Sequence, residues 1–201
     1  MKWYFGYNQD TERTQFPLVQ MALFTALKNT SLEPHCIISG SPSPCSEWLE
    51  RHGVRVHFRD TQIISELMKY KAANPGYNIN SAKGAYLRFE IPLIEVEDKY
   101  VLYTDTDVMF NHINNIELLC VRPKIFAMAP EFDIKDWENP NSGVMIINVQ
   151  VFRRYIDQLY SYVLDNLPNL MAHDQTVLAK FFKGKWGKLP AKYNWKPYWG
   201  Y

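Results

Sequence analysis

Short apolar strands alternate with helices along the first hundred residues, and this alternation most limits how the chain can fold. The predicted strands of this region cover residues 3–5, 35–39, 54–58 and 100–104. A helix is predicted at 17–28, with Pro17 in the first position and an apolar face of Leu18, Met21, Ala22 and Thr25. Further helices are predicted at 63–70 and from Asn80 or Ser81 to Glu90. Such alternation favours parallel strands with helices on both faces of the sheet.

The second half of the chain continues in a similar way. Strands are predicted at 125–129 and 144–149, a long amphipathic helix at 151–167, and a further helix from about His173. A chain of 201 residues suits one domain with a sizeable core. We expect one domain over residues 1–201, either whole or truncated at the C-terminus.

Charge and composition argue against several classes of protein. The formal net charge is only +1, from 22 Lys and Arg against 21 Asp and Glu, whereas nucleic-acid binding normally needs a basic stripe. No apolar stretch approaches the length of a transmembrane helix, and no signal peptide precedes the first strand. Three cysteines without a framework spacing fit a reducing compartment. We therefore expect a cytoplasmic protein, with peripheral association with a membrane left open.

The strand predicted at 100–104 ends in two carboxylates. Asp105 follows it directly and Asp107 comes two residues later, so both can point to the same side of an extended chain. Two like charges at the end of a buried strand are costly unless a cation lies between them, and oxygen ligands suit a hard divalent metal. The alternative is a solvated turn, because turns are rich in Asp. The sequence pattern does not decide between a metal site and a solvated turn, and our working hypothesis is the metal site.

Other polar residues are predicted at the same edge of the sheet or near it. The turn Gly6-Tyr7-Asn8 closes the first strand, so it would share an edge with Asp105. Arg88 lies on a helix and is either a ligand for a diphosphate or a solvated cation. The segment Asn139-Pro-Asn-Ser-Gly143 is either a ligand-contacting loop or a plain turn. Asp174 and Gln175 start a helix and place a carboxylate and an amide on a rigid element.

Four segments, in this order, resemble those of the retaining nucleotide-sugar glycosyltransferases of the glycogenin and lipopolysaccharide galactosyltransferase family. They are Tyr86-Leu-Arg88 with Ile91-Pro92, Tyr103-Thr-Asp-Thr-Asp107, Asn141-Ser-Gly-Val-Met-Ile-Ile-Asn148, and Asp174-Gln175. The resemblance implies the glycosyltransferase A fold, which is a Rossmann-like mixed, mostly parallel sheet flanked by helices. It also implies a UDP-sugar donor, a Mn²⁺ or Mg²⁺ cofactor, and transfer of a hexose with retention to a glycan, a lipid-linked sugar or a protein hydroxyl.

The resemblance also assigns roles to single residues. Asp105 and Asp107 would be metal ligands, and Thr106 would touch the nucleotide through its backbone. Arg88 would lie against the donor phosphate or sugar, Asn141 near the donor or acceptor, and Tyr7 in the turn around the uracil and ribose. Asp174 would bind donor sugar hydroxyls, and Gln175 would face the anomeric carbon.

The sequence departs from the family pattern at two places. Relatives often carry an Asp near Tyr7, where this chain has Tyr7-Asn8. They also supply a third metal ligand, a downstream His, whereas no histidine follows the segment Trp195-Lys-Pro197 here. A module that binds nucleotide-sugars without turnover is therefore the main alternative. A sugar-phosphate nucleotidyltransferase is a weaker one, because the expected Gly-rich phosphate loop near the N-terminus has a single Gly, Gly6.

Overall fold

The computed structural model describes residues 1–111, 118, 120–170 and 173–200. The strands are β1 (Lys2–Asn8), β2 (Glu33–Ser39), β3 (Arg55–Phe58), β4 (Tyr100–Thr104), β5 (Phe126–Pro130), β6 (Pro140–Asn148) and β7 (Gly187–Lys188). The α-helices are α1 (Glu12–Asn29), α2 (Pro44–Arg51), α3 (Ile64–Ala73), α4 (Ile79–Ala85), α5 (Ile91–Ile94), α6 (Val149–Arg153), α7 (Ile156–Asn166) and α8 (His173–Phe181). Short 3₁₀ helices include Tyr86–Phe89 and, near the C-terminus, Ala191–Tyr193 and Pro197–Trp199.

The strands form one mixed sheet in the order β3-β2-β1-β4-β6-β5-β7 across the described residues. Strand β6 runs antiparallel to both of its neighbours, and the other neighbouring strands pair in parallel. The predicted fold class, a mixed and mostly parallel sheet flanked by helices, is confirmed. Because β6 is reversed, its first residues lie at the edge where β1, β4 and β5 end.

Both faces of the sheet are covered, as the fully apolar strands require. Side chains alternate along β1, so that Tyr4 enters one core and Trp3 and Phe5 enter the other. Helices α1 and α2 cover the face of Trp3, and the core around Tyr4 is built with residues of α3 to α8. Within the described residues, no helix combines the length and the apolar character needed to cross a membrane.

Helix α1 differs from its prediction in its start and in its buried face. It begins at Glu12, so Pro17 lies inside the helix, where its missing N–H removes one hydrogen bond of the second turn. The buried residues are Val19, Ala22, Leu23, Thr25 and Ala26. Leu18 and Met21, predicted to face inward, are 41% and 49% exposed. The buried stripe is thus rotated by about one residue from the predicted one.

Two further boundaries differ from prediction at the edge where the candidate residues lie. Gly6-Tyr7-Asn8 continues β1 and pairs with β2. A Cβ on Gly6 would lie 2.9 Å from the carbonyl oxygen of Ile37 and 3.2 Å from Leu87, so glycine permits the close approach of the 3₁₀ helix to β1. The predicted helix ending at Glu90 stops at Ala85, and Asn78 caps its start. The 3₁₀ turn that follows aims Arg88 at the sheet edge.

Glu95 anchors the opposite end of β1. Its carboxylate accepts hydrogen bonds from the backbone N–H groups of Asp98 and Glu97 and from the Tyr4 hydroxyl, and it pairs with the Lys2 ammonium at 3.0 Å. Burial alone would raise the pKa of Glu95, but the bonds from Asp98, Tyr4 and Lys2 outweigh it and lower this pKa to about 2.

Acid should therefore weaken the wild-type fold through Glu95. The unfolded chain takes up this proton near pH 4.5 and the folded protein only near pH 2, so stability present above 4.5 is lost as pH falls through that window. We expect the Glu95→Gln variant to be less stable at pH 6 and to lose less on acidification to pH 3. Urea unfolding at both pH values measures this, with the exposed Glu50→Gln as control. An equal acid sensitivity of wild type and Glu95→Gln would contradict it.

Candidate active site

A cleft of about 500 Å³ opens where β1 and β4 end. Its lining includes six of the residues singled out in the sequence: Tyr7, Arg88, Asp105, Thr106, Asp107 and Asp174. The remaining walls come mainly from the start of α1 and from α4. In α/β sheets, ligands gather at the carboxyl ends of parallel strands, and this cleft lies at that edge.

Asp105 is held in place from several sides. Its backbone N–H donates to the carbonyl of Gly143 at 2.8 Å, which extends the β4–β6 pairing by one step. Its Oδ1 accepts from the Tyr103 hydroxyl at 2.9 Å and from Arg88 at 2.8 Å. A Cβ on Gly143 would lie 3.0 Å from Oδ2, so glycine leaves room for the carboxylate. Oδ2 has no hydrogen-bond partner in the part of the chain that the structure describes.

Arg88 is the centre of the polar network, and it is 4% exposed. Its Nη2 binds Asp105, and its Nη1 donates to the carbonyl of Ser142 at 2.6 Å and pairs with Asp174 at 2.9 Å. Its Nε donates to Ala85. The guanidinium also lies 4.4 Å from the centre of the Tyr103 ring. Burial opposes the charge of Arg88, but the carboxylates of Asp174 and Asp105 outweigh it and raise its pKa.

Asp174 completes this network at the start of α8. Its Oδ2 accepts from the Ser142 hydroxyl at 2.8 Å as well as from Arg88. Burial raises the pKa of Asp174 to about 6, although the charge of Arg88 opposes the shift. The single guanidinium of Arg88 thus pairs with two carboxylates, Asp105 and Asp174. Its positive charge therefore compensates the negative charge of Asp174 only in part.

Asn141 and Gln175 belong to a second, adjoining network centred on Glu131. Oε2 of Glu131 accepts from the amides of Asn141 at 2.7 Å and Gln175 at 2.9 Å. The amide oxygen of Gln175 in turn accepts the backbone N–H of Ser142 at 3.1 Å. Asn141 lies within β6, which begins at Pro140 and not at the predicted residue 144. Its position is therefore fixed by strand pairing and not by a turn.

Asp107, Thr106 and Tyr7 lie around the open part of the cleft. Asp107 is exposed and forms no hydrogen bond or ion pair with the described residues. The Thr106 hydroxyl donates to Gln15 at 2.6 Å. Tyr7 lines the cleft, but its side chain is 2% exposed and its hydroxyl donates to Glu12.

The C-terminal segment contacts this site, and its charge was not anticipated from the sequence. The Lys196 ammonium donates to Asn194 at 2.9 Å, and the Asn194 amide donates to Asn141 at 2.8 Å. Burial lowers the pKa of Lys196, while the charges of Glu131, Asp105 and Asp107 oppose the shift. Lys196 therefore adds a positive charge beside the predicted metal ligands.

His112 and Tyr201 lie outside the described residues.

A second cavity, of about 660 Å³, lies on the other side of the Asp174–Gln175 pair. Asp174 lines the first cleft and Gln175 lines the second cavity, so the two cavities meet at these two consecutive residues. The lining of the second cavity also includes Glu131, Phe132, Trp137 and Trp186. Neither Glu131 nor Ser142 was predicted as a site residue, although Ser142 lies within the predicted loop Asn139-Pro-Asn-Ser-Gly143.

The comparisons with known proteins agree with this fold. The sequence model of Glycosyl transferase family 8 matches residues 22–201. A search of the curated proteins found no significant match.

Solved structures match over nearly the whole chain at low identity. The glycosyltransferase GlyE of Streptococcus pneumoniae TIGR4 is 17% identical, with a TM-score of 0.68 over 97% of this chain and 46% of that one. The galactosyltransferase LgtC, in complex with donor and acceptor sugar analogues, is 16% identical, with a TM-score of 0.69 over 96% and 74% of the two chains. Mouse xyloside xylosyltransferase 1 is 15% identical, with a TM-score of 0.61 over 94% and 85%. The chain spans about half the length of GlyE.

Proposed function

This chain belongs to glycosyl transferase family 8, and on that premise we propose that it transfers a hexose from a UDP-sugar to a hydroxyl of a glycan, a lipid-linked sugar or a protein, with retention at the anomeric carbon. The observation that carries the proposal is the Arg88 network, because it holds Asp105 and Asp174 at one cleft. A donor bound in this cleft would meet both carboxylates.

The cleft carboxylates fit a divalent ion such as Mn²⁺ or Mg²⁺. The described residues hold no group of three or more His, Cys, Asp or Glu that could form a complete protein site. Mg²⁺-type sites commonly use one or two carboxylates and complete their coordination with substrate phosphates and water. Oδ2 of Asp105 and both oxygens of Asp107 are available for this. The ion, when bound, would neutralise charge that develops on the departing diphosphate.

Arg88 would act mainly by positioning the carboxylates. All three of its nitrogens already donate to protein acceptors, so its orientation is set before any donor binds. Its fixed charge offsets part of the cost of placing the Asp105 and Asp174 carboxylates close together at the end of a buried strand. Preorganised charge of this kind costs no rearrangement during the reaction.

Asp174 and Gln175 would lie at the point where the donor meets the acceptor. Asp174 lines the donor cleft and could accept hydrogen bonds from sugar hydroxyls. The amide of Gln175 is tied to Glu131 and to the backbone of Ser142, so it presents a fixed polar face and is a poor nucleophile. The departing diphosphate would then help to deprotonate the acceptor hydroxyl on the same face of the sugar. The acceptor would enter from the second cavity.

A panel of nucleotide-sugars with and without Mn²⁺ tests the proposal by thermal shift. A ligand present at 100 times its Kd stabilises the folded form by about 2.7 kcal/mol. For a chain of this length that is a rise of roughly 5–10 °C in Tm. We expect one UDP-sugar to give such a rise only with Mn²⁺, and to yield UDP and a glycosylated product when an acceptor is added. A rise without any product would favour a binding module, and no rise with any nucleotide-sugar would contradict the proposal.

A further inference from the structure

The second cavity combines tryptophan rings with lysine side chains, and this combination indicates what kind of acceptor it could bind. We call it the tryptophan–lysine pocket, and it is defined by Trp137, Trp186, Lys180, Lys183 and Lys188. Gln175 and Glu131 form its end nearest the donor cleft. Its role as an acceptor site rests on the function proposed above.

Aromatic surfaces form one part of this pocket. The rings of Trp137 and Trp186 are 6.4 Å apart between centroids, with their planes inclined by 35°. Phe132, on the same lining, is 76% exposed. Flat apolar faces of this kind suit the C–H faces of sugar rings.

Positive charge forms the other part. Lys180, Lys183 and Lys188 are exposed, and none of them forms an ion pair with the residues that the structure describes. The Lys188 ammonium lies 4.7 Å from the centre of the Trp137 ring, which places a cation directly at the aromatic surface.

The two carboxylates of the pocket, Glu131 and Glu138, offset only part of this positive charge, and neither forms an ion pair with the three lysines in the described part of the chain. Glu131 accepts hydrogen bonds from Asn141, Gln175 and Tyr198, so both of its oxygens are engaged within the protein. Glu138 is exposed, and it has no lysine partner among the described residues. Three cations without an ion-pair partner among the described residues thus face two carboxylates, one of which, Glu131, is already hydrogen-bonded within the protein.

The spacing along α8 relates this charge to the reaction centre. Lys180 lies five residues beyond Gln175, which is about 7.5 Å along the helix axis at 1.5 Å per residue. Lys183 follows just after the helix ends at Phe181. A sugar whose hydroxyl reaches Gln175 would therefore extend over the tryptophans towards the lysines.

From this arrangement we propose that the acceptor is an anionic glycan, whose phosphate or carboxylate group binds Lys180, Lys183 and Lys188 while its sugar rings lie on Trp137 and Trp186. The charged group fixes the orientation of the glycan, and the aromatic faces bind the rings without selecting a particular sugar. Both phosphate and carboxylate present the oxygen acceptors that ammonium groups bind.

Calorimetric titration with three probes tests this without any turnover. The probes are an uncharged disaccharide, a disaccharide that contains a uronic acid, and a disaccharide phosphate. We expect at least one anionic probe to bind about tenfold more tightly than the uncharged one, with an advantage that shrinks in 0.5 M salt because exposed charges are screened. Which of the two binds more tightly identifies the anionic group.

Variants locate the binding. The double substitution Lys183→Gln/Lys188→Gln should remove the advantage of the anionic probe, whereas the exposed Lys69→Gln on α3 should retain it. Trp137→Leu should lower the affinity for every probe that the wild type binds. The Tm of each variant, with and without UDP and Mn²⁺, shows whether it is folded and whether the donor cleft is intact. Equal affinity for charged and uncharged probes, or an advantage that survives the double substitution, would overturn the acceptor proposal. A wild-type Tm that does not rise with UDP and Mn²⁺ would instead contradict the proposed function.

Discussion

Replacing Arg88 by glutamine is expected to destabilise the protein by about 3–5 kcal/mol, because it leaves the buried Asp174 and the partly buried Asp105 without their cation. The Ser142 carbonyl also loses its donor. For a chain of this length the loss is a fall of roughly 6–20 °C in Tm. Donor hydrolysis should fall as well, since Asp105 is no longer held at the cleft. Thermal unfolding and product formation measure the two effects.

Two further variants separate charge from geometry in this prediction. Arg88→Lys keeps the charge but cannot serve Asp105, Asp174 and Ser142 together, so it should recover only part of the stability. Arg51→Gln, an exposed arginine at the end of α2, should leave both Tm and activity near those of the wild type. If Arg88→Gln unfolds at the temperature of Arg51→Gln, the network does not stabilise the fold as argued.

The sheet and its order of elements could be predicted because the strands are short, apolar runs bounded by turn residues. Strand β4 was predicted with its observed bounds, Tyr100–Thr104. Helix boundaries were less predictable where a local sequence preference, such as that of proline for the first helical position, competes with tertiary packing. Pro17 marks a helix start in general, yet the polar residues before it continue α1 back to Glu12 because the helix packs on β1 regardless.

The candidate site could be predicted where consecutive polar residues follow an apolar strand. Asp105 and Asp107 are of this kind, and the structure brings Asp105 together with Arg88 and Asp174. Ser142 was not predicted, because its backbone carbonyl and N–H contribute as much as its hydroxyl. Long-range partners such as Lys196 were also missed, since nothing local in the sequence shows that the C-terminal segment returns to Asn141 by way of Asn194.

Asp107→Asn should separate activity from stability, because Asp107 faces solvent at the cleft and has no hydrogen-bond or ion-pair partner among the described residues. Surface substitutions of this kind usually change stability by less than about 0.5 kcal/mol. Donor hydrolysis, in contrast, should fall by at least about 100-fold, as expected when a charge that stabilises the transition state through a bound ion is removed. A Mn²⁺ titration followed by electron paramagnetic resonance should show weaker binding of the ion in the variant.

Asp105→Asn provides the matched comparison, since the same change of a carboxylate to an amide also disturbs the bonds from Arg88 and Tyr103. It should lose activity to a similar extent and, unlike Asp107→Asn, also lower the Tm. The exposed Asp165→Asn on α7 controls for the loss of one surface charge and should change neither quantity. Full activity of Asp107→Asn with wild-type Mn²⁺ affinity would mean that Asp107 is a solvated turn residue and that Asp105 alone, oriented by Arg88, binds any metal in the cleft.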